Sequence, residues 1–240
     1  MKIVAIANQK GGVGKTTTAV NLSYCLSLAG KKTLLIDIDP QANATSWFGI
    51  DSESTKGIYE ILNEIKRPSL ELTTAYPNLE ILPATPRLAE NESMFSRTPG
   101  GAMRLKTWLN SLRNTELSAY DFIIIDCPPA QGIFSLNALN VADEVIIPIQ
   151  CEYLAMEGLS QMLGIIEEIK ARYNPSLGIN GILLTMYDDT LQFNQEVVAE
   201  VTKHFADKVY RSIIPRDVAI SEASSFAQPV ILYDPVSRGT

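Results

Sequence analysis

Residues 10–16, Lys10-Gly11-Gly12-Val13-Gly14-Lys15-Thr16, could do chemistry that the rest of the chain could not. Their three glycines let the backbone turn tightly and aim several N–H groups at one point, which is what a bound phosphate requires. A helix starting near Lys15 would add its N-terminal dipole and its unpaired N–H donors. In such a loop the Lys15 ammonium is expected on the β- and γ-phosphates, the Thr16 hydroxyl on Mg2+ and the Thr17 hydroxyl on a phosphate oxygen. Gln9 stands where the ordinary form of this loop has its first glycine.

Two acidic sites could complete the chemistry. Residues 34–41, Leu-Leu-Ile-Asp-Ile-Asp-Pro-Gln, close an apolar run with Asp37 and Asp39. If that strand persists, its side chains alternate and the two carboxylates project the same way. Residues 122–129, Phe-Ile-Ile-Ile-Asp-Cys-Pro-Pro, close another run with Asp126. An unpaired carboxylate at the end of a buried strand is costly. Mg2+, held directly or through water, removes that cost, so Asp126 is expected to support a metal together with Thr16.

Positioning these groups takes a frame of strands and helices. Apolar runs suited to central parallel strands fall at residues 3–7, 33–38, 79–82, 122–126, 145–149, 182–185 and 210–214. Helical patterns lie between them at residues 15–29, 103–112, 135–142, 158–173 and 195–205, with Gly30 placed to end the first. The alternation predicts an α/β fold: a doubly wound, mostly parallel sheet with helices on both faces and right-handed crossovers. Ligands in such sheets bind at the carboxyl ends of the strands, where all the residues above fall. Residues 52–99 are broken by Pro68, Pro77, Pro83, Pro86 and Pro99, and are expected to hold a short helix near 58–65, one strand and loops. Residues 1–240 are expected to form a single domain of this kind.

Composition narrows the class. A net charge of −7 argues against a dedicated, strongly basic nucleic-acid binder. Cys25, Cys127 and Cys151 match no zinc or disulfide spacing and are expected to be buried free thiols in a reducing cytoplasm. The apolar run at the N-terminus is too short for a signal peptide, and no stretch is long enough to span a membrane. His204 is expected on the surface, and Trp47, Trp108 and Tyr153 as packing residues. The sequence stops at Ser237-Arg238-Gly239-Thr240 without a closing helix, so a further C-terminal segment is expected in the natural protein.

With Lys10 ahead of the glycines, the loop resembles the deviant Walker A motif of the ParA/Soj/MinD ATPases. The resemblance covers essentially the whole chain. Asp37-Ile38-Asp39-Pro40-Gln41, residues 148–158 with Gln150, Glu152 and Tyr153, residues 184–188, and Ile214-Pro215-Arg216-Asp217-Val218 all match family segments. It implies an ATP hydrolase with ATP and Mg2+ as cofactors and slow basal turnover. Lys10 would reach across a nucleotide-sandwich homodimer to the partner's ATP. Asp39 would position the attacking water and the metal, while Asp37 is expected to be structural or a partner to the loop. Pro215, Arg216 and Asp217 would lie against adenine, and Glu152 would approach the partner's nucleotide. The Soj-like branch implies chromosome or plasmid partition, nucleoid DNA binding and a ParB-like activator. MinD-type relatives end instead in a basic amphipathic membrane helix, which this sequence does not show.

Two departures bear on DNA. Asp189-Thr190 follow the Met-Tyr-Asp triplet where many Soj-like relatives carry an arginine, and Ala219 replaces a second arginine common after the Pro-Arg turn; Asp217 stands for the usual Asn. Non-specific DNA affinity scales with the phosphates neutralised, so Asp189 and Ala219 should weaken it. Lys203, Lys208, Arg211, Arg216 and Arg238 remain for a displaced patch. The alternative is a cargo-positioning ATPase of the same family with weak or no DNA binding. A small-molecule carboxylate-activating enzyme is disfavoured by Lys10 and the Asp-Pro-Gln segment, and an iron–sulfur reductase by Pro128-Pro129 after Cys127.

Overall fold

The computed structural model describes residues 1–63, 72–129, 131–152 and 155–240. Seven strands form one sheet in the order β3-β4-β2-β5-β1-β6-β7. They are β1 (Lys2–Ile6), β2 (Thr33–Asp37), β3 (Thr73–Tyr76), β4 (Leu79–Leu82), β5 (Phe122–Asp126), β6 (Glu144–Gln150) and β7 (Gly178–Thr185). All neighbours pair in parallel except β3, which runs antiparallel to β4 at one edge. The doubly wound, mostly parallel architecture expected from the alternation of runs is therefore what the chain adopts.

The central strands are apolar on both faces because both faces are covered. Along β1, Ile3 and Ala5 enter one core and Val4 and Ile6 the other. The first core takes in Phe134, Leu139, Leu159 and Ile166 from α6 (Ile133–Val141) and α7 (Ala155–Arg172). The second takes in Ala19, Val20 and Tyr24 from α1 (Lys15–Leu28), with Trp47 from α2 (Asn43–Trp47). Strand polarity and the helices on each face thus carry every β–α loop of the candidate site to the same edge of the sheet.

The remaining helices are α3 (Ile58–Asn63), α4 (Arg87–Arg97), α5 (Arg104–Leu112), α8 (Gln192–Phe205), α9 (Val218–Ser225) and α10 (Val230–Tyr233). The short helix expected near residues 58–65 is present through Asn63, and its expected end at Ile65 lies outside the described residues, as does Tyr153. Residues 52–99 hold more structure than the prolines suggest, since β3 and α4 were not expected there. Pro86 sits at the N-cap of α4, where a missing N–H costs nothing.

The run at 210–214 is not a strand of the sheet. Single parallel bridges flank it, Ile182↔Val209 onto β7 and Tyr187↔Pro215 just past the end of β7. The Tyr210 ring crosses Gly181 so closely that a Cβ there would lie 2.6 Å from it. Among the described residues the backbone of the run bonds to β7 only from the Tyr210 N–H to the Ile182 carbonyl and from the Ile214 N–H to the Leu184 carbonyl. Cys127 and Cys151 are buried as expected, but Cys25 is exposed, because it falls on the outward side of α1. His204 is exposed and pairs with Glu200 at 2.7 Å. Among the described residues, no helix is long and apolar enough to cross a membrane.

Candidate functional site

The glycine loop joins β1 to α1. Gly12 and Gly14 have φ of 74° and 86°, a region open to glycine at little cost, and Gly14 caps the helix. The loop is pinned from outside. Thr185, the last residue of β7, donates its hydroxyl to the Val13 carbonyl at 3.0 Å or to that of Ile149 at 3.1 Å. Asn8 accepts from the Lys10 N–H at 3.0 Å and donates to the Pro148 carbonyl at 2.7 Å. Lys15 is 6% exposed, and its ammonium donates to the Lys10 carbonyl at 2.9 Å, folded over the loop it belongs to. Burial lowers its pKa, and the negative charges of Asp126 and Asp39 resist that shift.

Asp37 and Asp126 end adjacent strands and pair in register. Asp37 is wholly buried and saturated. It accepts from the Asp39 N–H at 3.1 Å and from the Thr45 N–H and hydroxyl at 2.8 Å each. Burial pushes its carboxyl up to about 6, and the Thr45 bonds pull it back. Thr45 also accepts from the Ala84 N–H at 2.9 Å, tying α2 to the chain after β4. The strand does not persist to Asp39, as the shared direction of the two acids would have required. It stops at Asp37 and the chain turns, with the Asp39 carboxylate accepting from the Gln41 N–H at 2.9 Å. Asp39 is 6% exposed.

Asp126 is equally buried, yet neither of its oxygens accepts a hydrogen bond of normal geometry. Burial and then the Asp37 charge hold its carboxyl well above the ordinary range; Thr16 and Lys15, both close by, favour the charged form. An orphaned carboxylate facing a hydroxyl and an ammonium fits a divalent cation that arrives with phosphates. Among the described residues, no group of three or more His, Cys, Asp or Glu could hold a metal unaided. The cation would therefore need the nucleotide as a co-ligand, which is how Mg2+ usually binds. The adjacent Cys127 thiol is pushed up by burial and by Asp126, which disfavours its thiolate.

At the rim, three residues from separate segments meet. The Lys10 ammonium lies 3.3 Å from Glu152, and the Arg216 guanidinium lies 3.9 Å from the other oxygen of that carboxylate. Beyond them opens a cavity of about 310 Å3 between Gly14, Thr17 and Thr18 on one side and Pro215, Arg216 and Asp217 on the other. Asp217 lines it, but its carboxylate is committed to the Ala219 N–H at 2.9 Å and the Gly239 N–H at 2.8 Å. The phosphate loop, Asp39, Asp126, Glu152 and residues 215–217 thus share one edge of the sheet. Sequence reasoning missed Thr45, Thr185 and Asn8, whose roles rest on contacts between distant segments. It also missed Trp47 as a wall of the cavity.

Among the basic residues left for DNA, three have an acidic partner. Arg238 lies 2.9 Å from Asp189, Arg216 faces Glu152, and Lys203 lies 3.8 Å from Glu200.

Comparison with known proteins agrees with this geometry. Residues 1–179 match the AAA domain family model. The chain is 48% identical over 240 residues to the sporulation initiation inhibitor protein Soj of Bacillus subtilis, covering 99% of this chain and 93% of that protein. It is 47% identical to the chromosome partitioning protein ParA of Myxococcus xanthus, covering 99% and 83%. Among solved structures it is similar to a Mycobacterium smegmatis protein described as cobyrinic acid a,c-diamide synthase with bound ATP analogue and magnesium. The TM-score is 0.82 at 35% identity, covering 95% of this chain and 93% of that one. The chain belongs to the ParA/Soj family of P-loop ATPases.

Proposed function

We propose that residues 1–240 act as one ATPase domain that forms an ATP-sandwich homodimer and hydrolyses ATP to drive chromosome or plasmid partition, stimulated by a ParB-like partner. The observation that carries this reading is the side chain of Lys10. Its ammonium rests on Glu152 at an exposed rim, with its side chain 37% exposed, while Lys15 alone bends over the loop. A cation held at the rim is available to a second protomer's triphosphate, whose burial face to face requires added positive charge.

In this reading Lys15 and the N–H groups of residues 11–16 bind the phosphates, and Thr17 adds a hydroxyl. Mg2+, supported by Thr16, Asp126 and Asp39, supplies charge neutralisation on the transferring phosphoryl group. Asp39 orients the attacking water. Pro215 and Arg216 offer side-chain surface to the base, and Asp217 holds their loop in place. Glu152 exchanges its own Lys10 for a contact near the partner's nucleotide. Nucleoid DNA is bound weakly, because Asp189 replaces a cation and also neutralises Arg238. A cargo-positioning role with no DNA step is the second reading, favoured by that same ion pair.

Light scattering on the Asp39→Ala protein with Mg-ATP tests the dimer: a dimer that dissolves on Lys10→Ala is expected, and a monomer throughout overturns it. The same Asp39→Ala protein should retain ATP and barely release phosphate; normal turnover would remove Asp39 from the water-positioning role. Fluorescence anisotropy with DNA across a salt series separates the two readings. ATP-dependent binding that falls steeply with salt supports partition, and none in a proven dimer supports cargo positioning.

A further inference from the structure

The 310 Å3 cavity has a wall outside the loops discussed so far. Trp47, the last residue of α2, lines it opposite Pro215 and Arg216, with Ser221 of α9 beside them. Trp47 is 7% exposed, so nearly all of its surface is packed, against α1 and the second core among others. Its indole N–H donates to the Gln228 carbonyl at 2.7 Å, joining the start of the chain to the turn between α9 and α10. A second bond closes the same junction: the Val230 N–H donates to the Asn21 side chain of α1 at 2.8 Å. In the middle of α2, Thr45 is anchored on the buried Asp37. The indole is therefore fixed both by its own N–H and through the helix that carries it. A large, rigid aromatic at a cavity rim is suited to contact a planar base at little entropic cost.

We propose that Trp47 is a wall of the nucleobase compartment, so that the base, and not the phosphates, is what it senses. The proposal rests on the nucleotide reading given above. Through its bond to the Gln228 carbonyl, the indole also braces α2 against the α9–α10 segment. The chain thereby reads phosphate and base with two halves of one short segment: Asp39 before α2 and Trp47 at its end.

The test uses the full chain carrying Trp108→Phe, which leaves Trp47 as the only indole and removes one that lies in the other core. Calorimetry and Trp47 emission are followed with ADP and with inorganic tripolyphosphate, each with Mg2+. ADP should shift the emission with the same midpoint as its calorimetric binding, and tripolyphosphate should bind without the shift. Trp47→Ala should weaken ADP about tenfold, in line with the loss of one base–aromatic contact, with tripolyphosphate affinity unchanged and Trp47→Phe restoring most of the loss. If ADP binds tightly while Trp47 emission is unmoved and Trp47→Ala keeps its affinity, the wall is refuted and the ATPase reading stands. If ADP does not bind the parent protein at all, the nucleotide reading itself falls, and this proposal with it.

Discussion

Asp37 and Asp126 stand side by side as the last residues of neighbouring parallel strands, both wholly buried, and their surroundings are opposite. Asp37 accepts three hydrogen bonds from Asp39 and Thr45. Asp126 has none of normal geometry and faces Thr16 and Lys15 at the phosphate loop. Burial raises both carboxyls, but only the first is repaid within the protein. The contrast separates a structural acid from a functional one where sequence offers the same residue in the same position. A buried carboxylate left bare is tolerated where a ligand will complete it.

Substitution should break this comparison in opposite directions. Asp126→Asn should lower ATP hydrolysis about a hundredfold, the order seen when a metal support or a charge-stabilising group is lost, as read by steady-state phosphate release. The same change should leave the unliganded fold as stable or up to about 1 kcal/mol more stable, because it removes a buried carboxyl that accepts no hydrogen bond of normal geometry and whose ionisation burial disfavours. Asp37→Ala should instead destabilise the fold by about 3 kcal/mol, since it strands three buried donors, measured by urea unfolding. Thr45→Val sharpens the point with a smaller effect. It removes the hydroxyl shared between Asp37 and the Ala84 N–H and should cost about 1–2 kcal/mol in the same assay. Glu152→Gln is the mildest: the Lys10 pair is exposed and screened, so unfolding should move by no more than about 0.5 kcal/mol. An unfolding shift as large as that of Thr45→Val would mean that Glu152 holds the fold rather than the rim.

The parts of this site that were legible in sequence are local. The glycine loop needs its residues contiguous, and the strand that delivers Asp126 is an unbroken apolar run, so both could be read directly. Asp37 and Asp126 could not be told apart by spacing alone, because the difference lies in Thr45, which must fold back from the next helix. In the Lys10–Glu152–Arg216 cluster Lys10 and Glu152 are 142 residues apart and Arg216 comes from a third segment, and no periodicity records that. Misreadings elsewhere have equally physical causes. Prolines that were read as breakers hid α4, although Pro86 begins it. The run at 210–214 has strand composition, but among the described residues only isolated bridges at its two flanks pair it with the sheet side of the chain. Asp217 is not among these misreadings: it lines the cavity while its carboxylate caps α9 and holds the Gly239 N–H.

The most direct test of the claim about Asp126 is thermal unfolding of the parent protein and of Asp126→Asn, each alone, with ATP and with ATP plus Mg2+. The account predicts that the variant starts at an equal or higher Tm, gains from ATP alone much as the parent does, and loses most of the extra stabilisation that Mg2+ gives the parent. An equal gain from Mg-ATP in both proteins would show that the bare carboxylate is not there for the metal.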